Sequence, residues 1–93
     1  MLHLPQRLTH ANASACLQSL LADAQGESDV LQVDAGRLVE FDSAALAVLL
    51  SLRRQAQRQG HRFAVQGLPV RLADLARLYG IAELLPAAGG SGT

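Results

Sequence analysis

Asp42 and Ser43 bring a carboxylate and a hydroxyl together where a strand and loop feed a long helix, within Phe41-Asp42-Ser43-Ala44-Ala45-Leu46. Either side chain can accept hydrogen bonds from the free N–H groups of a first helical turn, an arrangement worth about 1 kcal/mol. A second use is open to the same residues. A small hydroxyl at a helix start, flanked by Ala44 and Ala45, offers a flat surface that a partner can approach closely. A phosphoryl group on that hydroxyl would also suit the positive end of the helix dipole. Capping and partner contact do not exclude each other.

Other reactive residues form no obvious constellation. The glycines are scattered at helix ends, so no phosphate-cradling loop is written in the chain, and neither an HExxH nor a CxxC spacing occurs. His3, His10 and His61 fall on three separate segments, so they hold a metal only if folding gathers them. Cys16 lies among apolar residues at helical spacing, which predicts a small hydrophobic contact rather than a reactive thiol. The run Arg53-Arg54-Gln55-Ala56-Gln57-Arg58-Gln59-Gly60-His61-Arg62 invites phosphate binding. It equally fits a solvated helix end whose cations favour the C-terminal dipole, and no aromatic residue stands there to stack on bases.

These residues need elements to hold them. Leu2, Leu4 and Leu8 suggest a short extended opening. Ala13, Cys16, Leu17, Leu20, Leu21 and Ala24 recur at helical spacing over about residues 11–24, with Thr9 or Asn12 as candidate cap and Gly26 beyond the end. Residues 30–34, Val-Leu-Gln-Val-Asp, read as a buried strand. A second helix is predicted over about residues 43–59. Ala45, Leu46, Leu49, Leu50, Leu52 and Ala56 form its apolar side, Asp42 or Ser43 its cap, and Gly60 its stop. Residues 62–66 alternate as a strand up to Gly67. Pro69 suits the first turn of a third helix, with Leu72, Leu75, Ala76 and Tyr79 on one face and Gly80 at its end. Residues 81–85 read as one further helical turn. The order β-α-β-α-β-α predicts an α/β domain with partly parallel strands and helices packed on the sheet.

The chain of 93 residues is long enough for one domain with a modest core. That core must be built from Leu, Val and Ala, because there is no Trp, one Tyr and two Phe. Eight Arg balance eight acidic residues, and the zero formal charge weakens a nucleic-acid or anionic-membrane role. One cysteine makes no internal disulfide, and no basic stretch with a long apolar run opens the sequence. The longest apolar run, residues 44–50, falls far short of the roughly 20 residues of a membrane span. The expected location is the cytoplasm. The tail from Ala87 onward, Ala-Ala-Gly-Gly-Ser-Gly-Thr, is expected to be a flexible coil.

At the Asp42–Ser43 segment the sequence resembles STAS domains, the fold of bacterial anti-sigma factor antagonists and sulfate-transporter tails, and within them the MlaB-like branch. Phe41-Asp42-Ser43-Ala44-Ala45-Leu46-Ala47-Val48-Leu49-Leu50 is similar to the family's Asp-Ser/Thr-x-Gly-Leu-x-Leu-Leu stretch. Val30 to Asp34 resembles the strand before it, and Gln66-Gly67 the end of the strand after it. Leu75-Ala76-Arg77-Leu78-Tyr79 is similar to the Leu-Ala-Lys-Leu-Tyr segment of the MlaB-like third helix. The likeness runs in order from Leu2 to Pro86, implying one STAS domain over residues 1–86, a small mixed sheet flanked by three to four helices.

The resemblance implies docking rather than catalysis, with no cofactor. MlaB-like proteins bind the cytoplasmic ATPase (MlaF-like) of a phospholipid-transport ABC complex that also holds a membrane permease, and so lie peripheral to the inner membrane. By position, Ser43 is the central contact, Asp42 holds the helix start, and Ala44, Ala45, Thr9 and His10 complete the candidate surface. The loops around Thr9-His10 and residues 36–40 are expected at the same end of the sheet. Two departures stand out. Ala45 replaces the usual Gly, which would keep a partner backbone slightly further away. The opening is short: if Met1 is the true start, one sheet edge lacks its usual neighbouring strand and is open to self-association or strand addition, and otherwise the start lies upstream. The alternative function is an anti-sigma factor antagonist whose partner is an anti-sigma kinase and whose switch is phosphorylation of Ser43.

Overall fold

The computed structural model describes residues 1–26 and 29–86. Five short strands and three helices follow one another: β1 (Leu2–His3), β2 (Arg7–Leu8), α1 (Ala13–Ala24), β3 (Val30–Asp34), β4 (Glu40–Phe41), α2 (Ala44–Arg58), β5 (Arg62–Gln66) and α3 (Val70–Leu78). A 3-10 turn, Ala82–Leu84, follows α3 where a further helical turn was expected. The tail expected to be a flexible coil lies outside the described residues.

Leu31 and Val33 stand beside Phe63 and Val65 in a parallel register, so four apolar side chains project from one face of the β3–β5 pair. Period-two alternation of this kind fixes which face meets the helices, because a one-residue slip would turn all four outward. β1 completes the order β1-β3-β5 and is the edge strand of that sheet. On the other margin, the Pro86 carbonyl accepts from Val65 N–H at 2.9 Å, so the chain after α3 returns along β5. Every strand pairing among the described residues is parallel.

α2 closes the core because its apolar residues recur at i, i+4 and i+7. Ala45, Leu49, Leu52 and Ala56 are fully buried, with Leu46 and Val48 nearly so. Leu4, Leu8, Leu20, Leu31, Val33, Leu72 and Ala76 join them in one cluster. At about 25 cal/mol per Å² of apolar surface, each fully buried Leu contributes roughly 1.5–3 kcal/mol. α2 ends where Gly60 takes a φ of +72°, and His61 N–H then closes onto the Ala56 carbonyl at 2.9 Å.

Two sequence expectations need correction here. Asn12 holds the N-cap position of α1, but neither its side chain nor that of Thr9 makes a capping bond to the helix. Asn12 Oδ1 accepts from Thr9 N–H at 2.8 Å and its Nδ2 donates to the Arg7 carbonyl at 2.9 Å, so the side chain braces the loop before the helix. Tyr79 is 56% exposed rather than on the buried face of α3, because the helix ends at Leu78 and the chain turns at Gly80.

Candidate functional site

A second, two-stranded sheet builds the site. The β1–β3 pairing does not run on directly into β2 and β4. The Gln6 carbonyl accepts from both Val39 N–H (2.8 Å) and Glu40 N–H (3.0 Å), so the second strand carries extra residues at this point. Pairing then resumes in parallel, with Arg7 beside Glu40 and Leu8 beside Phe41, and Arg7 Nε lies 3.3 Å from Glu40 Oε2. Because β2 and β4 end side by side, the residues that follow them, Thr9-His10 and Asp42-Ser43, emerge together. The expected meeting of these loops is therefore a consequence of two strands of two residues each.

Asp42 joins the two segments. Its Oδ1 accepts from Ala44 N–H at 2.8 Å and its Oδ2 from His10 N–H at 3.1 Å, across 32 residues of sequence. The His10 N–H, and then that of Ala44, stabilise the ionised form and hold the Asp42 carboxyl below its ordinary value. Asp42 thus supplies the side-chain cap of α2. Ser43 occupies the position before the helix with φ −62° and ψ −16°, already helical, and its hydroxyl makes no capping bond. It is exposed. The first turn is satisfied without it: Ala45 N–H donates to the Asp42 carbonyl and Leu46 N–H to the Ser43 carbonyl, both at 3.0 Å.

Of the other predicted site residues, His10 is exposed, while Thr9 and Ala44 are half-buried. Thr9 Oγ1 accepts from Ala11 N–H at 3.3 Å and shapes the loop. Ala45 belongs to the core, not to the surface. It is 0% exposed, on the same stripe as Leu49 and Leu52, so its methyl group is turned inward rather than presented at the surface. The small residue that does accompany Ser43 outward is Ala47, one turn on and exposed, which the spacing i, i+4 could have indicated.

Sequence reasoning also missed a neighbour of the site. The Arg71 guanidinium carbon sits 5.8 Å from the centre of the Phe41 ring, within cation–π range. A groove of about 340 Å³ opens there between Phe41 and α3, lined by Arg71, Asp74, Leu75 and Leu78. A second hollow, of about 460 Å³, lies between β1 and α1 and includes His3, Cys16, Asp23 and Arg37. His3 Nδ1 is 3.4 Å from Asp34 Oδ2 in this region. Cys16 is half-buried, and burial pushes its thiol pKa up, which reduces the share present as reactive thiolate. No cluster of three metal-ligating side chains occurs among the described residues, and no helix among them is long and apolar enough to cross a membrane.

Parallel strands packed on α2, with a solvent-facing hydroxyl at that helix start, define a small α/β domain of the STAS class. The family described as "Mlab, STAS domain" matches residues 1–86, and the chain belongs to the STAS domain family. STAS domains are in general non-enzymatic protein-interaction modules. No curated protein matches the chain.

Proposed function

We propose that this chain is a non-catalytic subunit that binds and supports the ATPase of an Mla-type phospholipid-transport ABC transporter, held at the inner membrane through that complex. The observation that carries the reading is the fixed, exposed start of α2. Ser43 stands outward with its hydroxyl in no capping bond, while Asp42 ties the helix to the His10 loop. Such a surface is rigid before a partner arrives, which lowers the ordering cost of association. The name of the matching family, "Mlab, STAS domain", is in keeping with this reading. The domain would act by favouring one conformation of the ATPase, since a ligand shifts an equilibrium only through its different affinity for the two states.

A second reading is favoured by one specific feature. An exposed seryl hydroxyl that makes no capping bond is open to a kinase, as an anti-sigma factor antagonist requires. Co-purification from the native cell separates the two. Tagged wild type is expected to recover an ABC ATPase, identified by mass spectrometry, and Ser43→Lys to lose it. Recovery of an anti-sigma kinase, with a mass gain of one phosphoryl group on Ser43, would move the protein to the signalling branch. Recovery of neither would remove both.

A further inference from the structure

Four consecutive main-chain N–H groups lead from β2 to α1, and each has its own acceptor. Thr9 N–H donates to Asn12 Oδ1 at 2.8 Å and His10 N–H to Asp42 Oδ2 at 3.1 Å. Ala11 N–H donates to Thr9 Oγ1 at 3.3 Å and Asn12 N–H to the Thr9 carbonyl at 3.1 Å. Three of these bonds close the turn on itself. The remaining one leaves it, because the His10 amide reaches across the sequence to the carboxylate that caps α2. A turn tied at both ends aims that one amide outward.

The Asn12 side chain supplies one of the closing bonds and adds a link backward, its Nδ2 donating to the Arg7 carbonyl at 2.9 Å. The turn is thereby fastened to the end of β2. This use calls for asparagine in particular. Asp has no donor for the Arg7 carbonyl, Ser and Thr end one atom short of the positions that Oδ1 and Nδ2 occupy, and Gln is a methylene longer. Helix α1 makes no such demand, since Ser or Asp serves equally well at an N-cap. Asn12, with φ −122° and ψ 6°, makes no side-chain bond to the helix at all. Its type suits the turn and not the helix.

We infer that Asn12 is a positioning residue for partner docking: by fastening the turn of residues 9–12 to β2 it holds the His10 amide against Asp42, and so fixes the His10 loop beside Ser43. This rests on the docking reading above and adds to it a residue outside α2. Without the Asn12 amide the turn keeps its Ala11 and Asn12 main-chain bonds but loses its anchorage to Arg7. The loop must then be ordered anew each time a partner binds, and that ordering is subtracted from the affinity.

The test compares Asn12→Ser and Asn12→Ala, both neutral, with wild type as full chains. Ser is a favoured N-cap residue, so Asn12→Ser is expected to unfold at the wild-type urea midpoint. Two readouts then separate positioning from stability. In the free domain, the Asp42 carboxyl titration, followed at the Ala44 amide by NMR, is expected to move up toward the ordinary aspartate range in both variants. The reason is that the His10 N–H is the foremost of the donors that hold it down. Titration calorimetry against the purified ATPase subunit is expected to show about tenfold weaker binding, the cost of ordering roughly one residue of backbone. Ser14→Ala, exposed on the first turn of α1, is expected to match wild type in both. Wild-type affinity in Asn12→Ser would overturn the inference and leave the docking reading intact. Weaker binding with a lowered urea midpoint and an unmoved Asp42 titration would also overturn it, since Asn12 would then act on stability alone. If wild type itself does not bind the ATPase, the docking reading falls and the inference falls with it.

Discussion

Replacing Gly67 with Ala tests how closely β3 and β5 are held together at their C-terminal ends. Gly67 has a φ of +69°, where an L-residue costs roughly 1–2 kcal/mol. A Cβ there would also stand 2.9 Å from Gly36 Cα and 3.0 Å from Gly36 N. Both are main-chain atoms, and neither can swing aside as a side chain would. The Gly36 turn is itself pinned, because Gly36 N–H donates to Asp34 Oδ1 at 2.8 Å and Ala35 N–H to the Gln66 carbonyl at 2.8 Å. Relief therefore requires β3 and β5 to part at the end from which β4 and the Asp42–Ser43 segment continue. Overpacking of this kind adds about 1–3 kcal/mol. Gly60→Ala is the internal control: its φ is +72°, yet a Cβ there meets nothing within 4 Å. The expected difference between the two variants is thus at least about 1 kcal/mol, or roughly 4–8 °C in Tm for a domain of this size. Urea unfolding followed by circular dichroism, with equal m values, measures it. If Gly67→Ala proves no more costly than Gly60→Ala, the close approach of the two turns carries no energy and the reasoning fails.

Asp42 makes the site sensitive to acid. Its folded-state pKa is depressed, so its contribution is present above the unfolded value and disappears as pH falls through the folded one. The His10 and Ala44 amide resonances should therefore titrate with a midpoint below the ordinary aspartate value near 3.8, and a midpoint at or above it would contradict the two-donor geometry. Leu49→Ala, at a 0% exposed site, should cost 2–5 kcal/mol in chemical unfolding; a loss below about 1 kcal/mol would mean that α2 is not the centre of the core.

Much of this was readable from the chain. β3, α2 and β5 fall within a residue or so of their expected limits, because strong periodicity meets unambiguous stops at Gly60 and Gly67. The fold class follows from their order and from the STAS resemblance. β2 and β4 were not legible, since two residues cannot show a period, yet their pairing brings His10 to Asp42. Ala45 is the instructive error. Its place in the stripe with Leu49, Leu52 and Ala56 already assigned it to the core, and the helical spacing contradicted its use as a contact residue. The contact of Arg71 with Phe41 had no local signal, because it joins residues 30 positions apart whose types suit solvent and core equally well.

The two readings of Ser43 make different demands on the start of α2, and the hydrogen bonds there weigh between them. A phosphate bound at a helix start is normally held by free N–H groups of the first turn. Here the Asp42 side chain takes Ala44 N–H, and the Asp42 and Ser43 carbonyls take those of Ala45 and Leu46. The neighbouring carboxylate is also ionised and held so by its two donors. A phosphoryl group on Ser43 would gain the helix dipole but no new first-turn donor, and it would stand beside a like charge. It would extend into solvent and act by repelling an approaching partner, with little reason to rearrange the domain. A small unmodified hydroxyl imposes none of these costs, and with Ala47 one turn below it leaves the helix start low enough for close approach. The local electrostatics favour Ser43 as a constitutive contact, to which phosphorylation would add only an off state.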